Sequence, residues 1–177
     1  MFRLKILLFF VICVSFSSCS KEPINKSTIK EKSLELQVQE AYNEGMESLE
    51  AGDVLFAAKK FNEAEILFPQ AKSAPQSALM AAYSYYTQDY YGDAIAELER
   101  FLKVYPSHKD LAYSYYLLAI CYYEQIVDEK KDLQSILMAK EFFELVVKNY
   151  PNTEYAIDAE FKIDLIDDIL AAKEMYL

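Results

Sequence analysis

The chain has 177 residues, enough for one domain with a tail, and carries 18 Lys+Arg against 28 Asp+Glu, a formal charge of −10. Such an acidic surface repels nucleic acid and anionic lipid headgroups, so neither is expected as a partner reached through charge. Three glycines and one histidine leave no material for a Gly-rich phosphate loop or a His-centred metal cluster.

Arg3 and Lys5 form a short basic start, Ile6 to Phe16 is an apolar run of 11 residues, and Ser17, Ser18 and Cys19 follow. The run is shorter than the roughly 20 apolar residues a membrane-spanning helix needs. Basic, apolar and small segments in that order mark residues 1–18 as a secretory leader. Phe16-Ser17-Ser18-Cys19 resembles the lipobox of bacterial lipoproteins, with Phe16 where Leu is usual. The resemblance implies acylation of Cys19 (palmitate among its chains) and membrane attachment through lipid alone. With Ser20 rather than Asp next, it implies the periplasmic face of the outer membrane. The plainer alternative is an ordinary leader ahead of an unrelated cysteine. Each buried acyl methylene contributes about 0.8 kcal/mol, so several chains hold firmly.

Losing residues 1–18 leaves 16 basic against 28 acidic residues, a formal charge of −12. It also removes Cys13, and lipid would cap Cys19, so Cys121 is left without an intramolecular partner. Cys121 lies in an apolar helical stretch and is expected to be buried rather than reactive.

Residues 19–33 hold the cysteine and a polar stretch without helical periodicity, read as a flexible tether. Fully extended, its 14 residues from Ser20 reach roughly 45–50 Å. From Leu34 the apolar residues recur at helical spacing, and no strand-like alternation occurs. The breaks then predict seven helices. Gly52-Asp53 ends the first, with Asp53 capping the second. Pro69 stops the second, and Ser73 to Pro75 opens the third. Asp89 to Gly92 separates the third from the fourth, and Pro106 stops the fourth. Ser107 with Asp110 resembles a capping box for the fifth. Asp128 to Asp132 is a charged break, with Asp132 a candidate cap for the sixth. Pro151 stops the sixth, and Asn152 or Thr153 caps the seventh.

The helices pair, and the pairs repeat. Phe68-Pro69, Tyr105-Pro106 and Tyr150-Pro151 are the stops, and Ala57, Ala94 and Ala139 stand 12 residues before each proline. Gly45, Ala82 and Ala119 hold one place in the first helices, small enough to let the backbones of a pair approach. Phe61, Leu98 and Phe143 fill the gap toward the next pair, followed by Ala64, Phe101 and Val146. This pattern resembles the tetratricopeptide (TPR) repeat, despite the absence of tryptophan. The expected fold is an all-α solenoid over residues 34–177, with repeats at about 38–71, 75–108 and 112–153 and the start of a fourth. The prolines lie 37 and then 45 residues apart. The extra eight residues, around Val127 to Gln134, are a solvated loop, a lengthened first helix or a partner-docking loop.

In a TPR array the first helix of each pair lines the concave side. The resemblance maps that groove to Tyr42, Met46 and Leu49, then Leu79, Tyr83 and Tyr86, then Tyr116, Ile120 and Tyr123. Tyrosines offer broad contact area at little entropy cost, which suits an extended peptide with aromatic side chains. Packing between helices is the competing use of the same rings. Carboxylate-clamp TPR domains carry Lys and Asn at these places, and this chain carries neither. Chemistry is not expected. His108 follows Pro106 at a helix start, and Glu160, Asp164, Asp167 and Asp168 share one face that solvation explains, an acidic docking stripe being the lesser alternative.

The lipobox cysteine, the short tether, pairs ending Tyr-Pro-Ser or Tyr-Pro-Asn-Thr and the enlarged third pair together resemble the BamD (ComL) family. Tyr105-Pro106-Ser107, Asn152 through Ala159 and Asp168 through Glu174 carry the likeness. It implies a lipoprotein scaffold of the β-barrel assembly machine, without cofactor or enzymatic activity. Its partners would be the POTRA domains of BamA, other lipoproteins of that machine and unfolded barrel precursors. Such proteins have about five repeats, so the apolar end Met175-Tyr176-Leu177 is expected to be a truncation, missing much of the BamA contact. The rival scaffolds are a pilus-assembly lipoprotein and a periplasmic TPR coordinator of envelope constriction. A hydrolase using Asp164 and Asp168 is the rival enzyme.

Overall fold

The computed structural model describes residues 32–126 and 133–175. The leader, Cys19, most of the tether and the charged break with Asp132 therefore lie outside the described residues. What is described is helical: α1 (Leu34–Glu50), α2 (Val54–Leu67), α3 (Ala74–Tyr86), α4 (Tyr91–Val104), α5 (Leu111–Glu124), α6 (Leu133–Asn149) and α7 (Glu154–Met175). Each helix packs on the next, and α5 also touches α7. This is the expected all-α TPR-like solenoid.

Local chemistry sets the helix ends. Ser33 accepts the Leu36 N–H at 3.3 Å and starts α1, so the polar stretch read as tether ends inside a cap. Asp53 accepts the Phe56 N–H at 3.1 Å and starts α2. Thr153, not Asn152, starts α7, its Oγ1 accepting the Ala156 N–H at 3.3 Å. The expected box at Ser107 and Asp110 does not form: Asp110 is the N-cap of α5 but its side chain makes no capping bond. His108 displaces it, its Nδ1 accepting the Asp110 N–H at 3.3 Å.

Proline ends the second helices by restricting the residue before it. Phe68 and Tyr105 leave the helical region, with ψ of 76° and 56°. Each stop then closes the same turn. The carbonyls of Phe68, Tyr105 and Tyr150 accept from the N–H groups of Ala71, His108 and Thr153 at 2.9, 3.1 and 3.2 Å. Within pairs the turn needs a left-handed residue. Gly52 supplies it at φ +82°, and Asp89, 37 residues later, holds the same place at φ +63°.

The repeat register is the packing register. Ala57, Ala82, Ala94, Ala119 and Ala139 are fully buried, as are Phe61, Leu98, Phe143, Phe101 and Val146. Gly45 is buried with them. A Cβ built on Gly45 would sit 2.8 Å from Cε1 of Phe61, so the first pair closes only because that side chain is absent. Apolar clusters run from helix to helix, one joining α3, α4 and α5 and another joining α5, α6 and α7. Cys121 is fully buried in the former, and burial, then Glu124, pushes its thiol up to about 12.

One polar network ties two second helices together. Glu65, 5% exposed, accepts from both terminal nitrogens of Arg100 at 2.9 and 2.6 Å and from the Tyr105 hydroxyl at 2.6 Å. Arg100 also donates to Glu97, which accepts from Asn62 at 3.0 Å. Burial alone would raise the Glu65 pKa, but Arg100 and Tyr105 outweigh it and hold the carboxyl below its ordinary value.

Two outcomes follow. Gly45→Ala drives a methyl into a buried ring; overpacking costs about 1–3 kcal/mol, offset by about 1 kcal/mol of helix propensity. Urea unfolding is expected to show a net loss that Phe61→Leu in the same chain relieves. Glu65→Gln leaves Arg100 partly unpaired and is expected to cost about 2 kcal/mol near pH 7, below the fully buried range because Arg100 reaches solvent. A lowered folded pKa gives stability that is present above the ordinary carboxylate range and lost as pH falls through the folded value. The gap between wild type and Glu65→Gln should therefore narrow as pH falls below the ordinary carboxylate range, and a gap that does not narrow with falling pH assigns it to packing.

Candidate functional site

The first-helix residues separate by side-chain type. Tyr42, Met46 and Leu49 are half-buried and pack on the α2–α3 cluster, with Tyr42 edge-on to Phe61 at 5.2 Å. Tyr83, Tyr86, Tyr116 and Tyr123 are half-buried too, each keeping part of its ring open. Leu79 and Ile120 do not belong with them. At 4% and 6% exposure they are core, Leu79 against α4 and α5, Ile120 against α6 and α7. The reason is chemical. These places lie at the seam with the next pair, where an aliphatic chain sinks while a phenol keeps its oxygen near water.

The tyrosines also divide by partner. On α3, the Tyr83 and Tyr86 rings lie 6.3 Å apart, and Tyr91 of α4 lies 6.2 Å from Tyr86. On α5, Tyr116 packs on Phe143 at 6.0 Å and on Tyr155 at 5.3 Å, and Tyr113 packs on Tyr155 at 5.5 Å. Tyr115 and Tyr122 instead stack on Phe142 at 6.4 and 5.8 Å.

The last described helix adds polar groups to this face. Tyr116 donates to Asp158 at 2.6 Å, and Lys162 lies 3.8 Å from Asp158 and 5.2 Å from the Tyr123 ring centroid. Burial raises the Tyr116 hydroxyl above its ordinary pKa, and Asp158 adds to the effect. Tyr113 is raised by burial first, then by its tyrosine neighbours. Such phenols stay neutral at physiological pH and keep their hydroxyls as hydrogen-bond donors.

Sequence reasoning missed Tyr91, Tyr113, Tyr155, Asp158 and Lys162. A cue existed for two of them. Tyr113 stands three residues before Tyr116, and Lys162 four after Asp158, so each shares its neighbour's helix face.

Other candidates resolve into structure. His108 packs edge-on to Phe101 at 5.6 Å and shapes the turn before α5. Glu160, Asp164, Asp167 and Asp168 are exposed, and Asp167 accepts from Lys140 of α6. A cavity of about 200 Å³ between α1 and α2 is lined by Glu40, Glu44 and Glu63, with Lys60 bonded to Glu44 and Glu63 at 2.8 and 2.9 Å. Among the described residues no three His, Cys, Asp or Glu side chains converge as a metal site, and no helix is long and apolar enough to cross a membrane.

Comparison with known proteins places this arrangement. The first TPR domain of Spaghetti (RPAP3), solved with the HSP90 peptide SRMEEVD, superposes with a TM-score of 0.57 at 16% identity, covering 77% of this chain and 94% of that one. The first TPR domain of human RPAP3 gives 0.57 at 17% identity, covering 80% and 98%. At that identity the likeness concerns the fold alone. In sequence, the outer membrane protein assembly factor BamD of Caulobacter vibrioides is 36% identical over 93% of this chain and 53% of its own length. The BamD of Rickettsia prowazekii is 40% identical over 77% of this chain and 54% of its own. The chain thus spans about half the length of these curated relatives. The family model YfiO, described as outer membrane lipoprotein, matches residues 34–177. Matched from the start of α1 onward and carrying the paired-helix register throughout, the chain belongs to the YfiO, or BamD, family of outer membrane lipoproteins.

Proposed function

We propose that the chain is a lipid-anchored scaffold of the β-barrel assembly machine, held at the periplasmic face of the outer membrane through Cys19. Its first-helix face receives extended segments of unfolded barrel precursors, and its remaining surface meets the POTRA domains of BamA and companion lipoproteins. The observation that carries the precursor role is the set of half-open rings at Tyr83, Tyr86, Tyr116 and Tyr123 on successive first helices. Barrel strands alternate aromatic and small or polar side chains, and an extended segment can lay alternate side chains against such rings. Residues 1–18 serve as the leader, 19–33 as anchor and tether, and 34–177 as the TPR domain.

The peptide SRMEEVD bound by the Spaghetti domain is acidic. It is a poor fit for a tyrosine face bordered by Asp89, Glu124 and Asp158, so a different peptide class is assigned here. The enzyme reading gains nothing from Asp164 and Asp168, which are simply exposed.

A photo-crosslinking residue in place of Tyr83 is expected to capture a peptide copied from the C-terminal strand of a barrel precursor. The same residue at Ile66, exposed on α2, should capture little. Equal yields at both places, or none at Tyr83, count against the face. Separately, Cys19→Ala expressed with its leader should move the protein from the outer-membrane fraction to the soluble periplasm. Continued membrane association of that variant would remove the lipid anchor from the proposal.

A further inference from the structure

We propose that the Tyr86 end of this face takes a cationic side chain, so that the segment bound there carries Lys or Arg beside an aromatic residue. The proposal rests on the first-helix face being a peptide site.

The chain itself displays the arrangement one step along. Tyr123 and Tyr86 hold the same register place, 37 residues apart. Over Tyr123 the chain puts its own cation, Lys162, at 5.2 Å from the ring centroid, with the Asp158 carboxylate 3.8 Å from the ammonium. Lys162 stands 11 residues after Pro151; 11 residues after Pro106 stands Leu117, which is buried. The step at Tyr86 therefore has the ring but no lysine at the matching place.

The carboxylates are nevertheless there. Tyr91, 6.2 Å from Tyr86, donates to one oxygen of Asp89 at 2.6 Å. Glu124 extends from the end of α5. Burial is the first cause of the raised Tyr86 hydroxyl, and Glu124 and Asp89 both add to it. Both acids are exposed, and among the described residues neither is paired with a lysine or arginine. Two rings and two carboxylates thus present a negative, partly desolvated surface, complementary to an ammonium or guanidinium group. Asp89 also keeps a side chain in the left-handed turn where the first pair uses Gly52.

The test uses the full chain and a short fluorescein-labelled peptide with two aromatic residues, made with Lys, norleucine or Glu beside the first aromatic. By anisotropy at low salt, the Lys peptide is expected to bind about fivefold tighter than the norleucine peptide, and the Glu peptide more weakly than either. The preference should fall below about twofold at roughly 0.5 M salt. It should fall likewise in the Asp89→Asn/Glu124→Gln variant, since Asn tolerates the left-handed turn. Equal binding of all three peptides overturns the cation proposal and leaves the peptide face standing. A Lys preference that survives in the double variant overturns it too. Failure of every peptide to bind removes the peptide face itself, and the proposal with it.

Discussion

The ring of Phe61 lies against the bare backbone of Gly45, with no room for even a methyl group between them. That contact fixes how closely α1 and α2 approach; the later pairs put the small but not bare Ala82 and Ala119 where α1 has Gly45, and both are fully buried. The bulky residue four positions after each alanine is held in that crossing: Phe61 sets its ring against Tyr42, and Phe143 against Tyr116 and Tyr123, on the first helix of its own pair. Phe61, Leu98 and Phe143 are accordingly fully buried. Everything further along the solenoid inherits its placement from these crossings, because each helix rests only on near neighbours.

Two kinds of polar chemistry sit on this frame, and they do different work. Glu65, Arg100 and Tyr105 form a closed group between second helices, with both carboxylate oxygens, the guanidinium fork and the phenol all bonded to one another. A satisfied group of this kind locks one pair against the next, and the burial of Glu65 makes it costly to open. On the first helices the phenols are left more open. Tyr83 and Tyr86 keep part of their rings accessible, while Tyr116 is drawn into a bond with Asp158 of the following unit. Toward α7 the face is thus tied to the following unit, while around α3 the Tyr83 and Tyr86 hydroxyls carry no such bond among the described residues.

That asymmetry bears on the proposed role. A rigid row of amphipathic rings accepts many sequences, since ring faces discriminate poorly among apolar partners. Discrimination then falls to the charges at the edge, and here they are acidic except where Lys162 is already in place. A scaffold for unfolded precursors needs this combination of broad contact and modest selectivity. The membership in a lipoprotein family and the acidic surface are both consistent with it.

The aromatic-proline stops, the small residues 12 positions upstream and the turn residues Gly52 and Asp53 made the helix pairs readable from the chain alone, because each acts on its own few neighbours through sterics or a capping bond. The left-handed turn at Asp89 lay within a break read only as Asp89 to Gly92, and the cap at Thr153 was one of two candidates, settled when its hydroxyl, not the Asn152 amide, reached the Ala156 N–H. The box at Ser107 and Asp110 failed because His108, packed on Phe101 from another helix, took the N–H it needed. The tyrosines followed the same divide. Their helical register was visible in sequence, yet Leu79 and Ile120 shared that register and sank into the core, and Tyr115 and Tyr122 found a stacking partner in Phe142 of another helix. The helix ends and the repeat of their pairing were written locally, in stops, caps and small residues. Which rings stay open and which charges border them emerged from the fold, because burial depends on the rotation of each pair against the next, and that is set by packing across units.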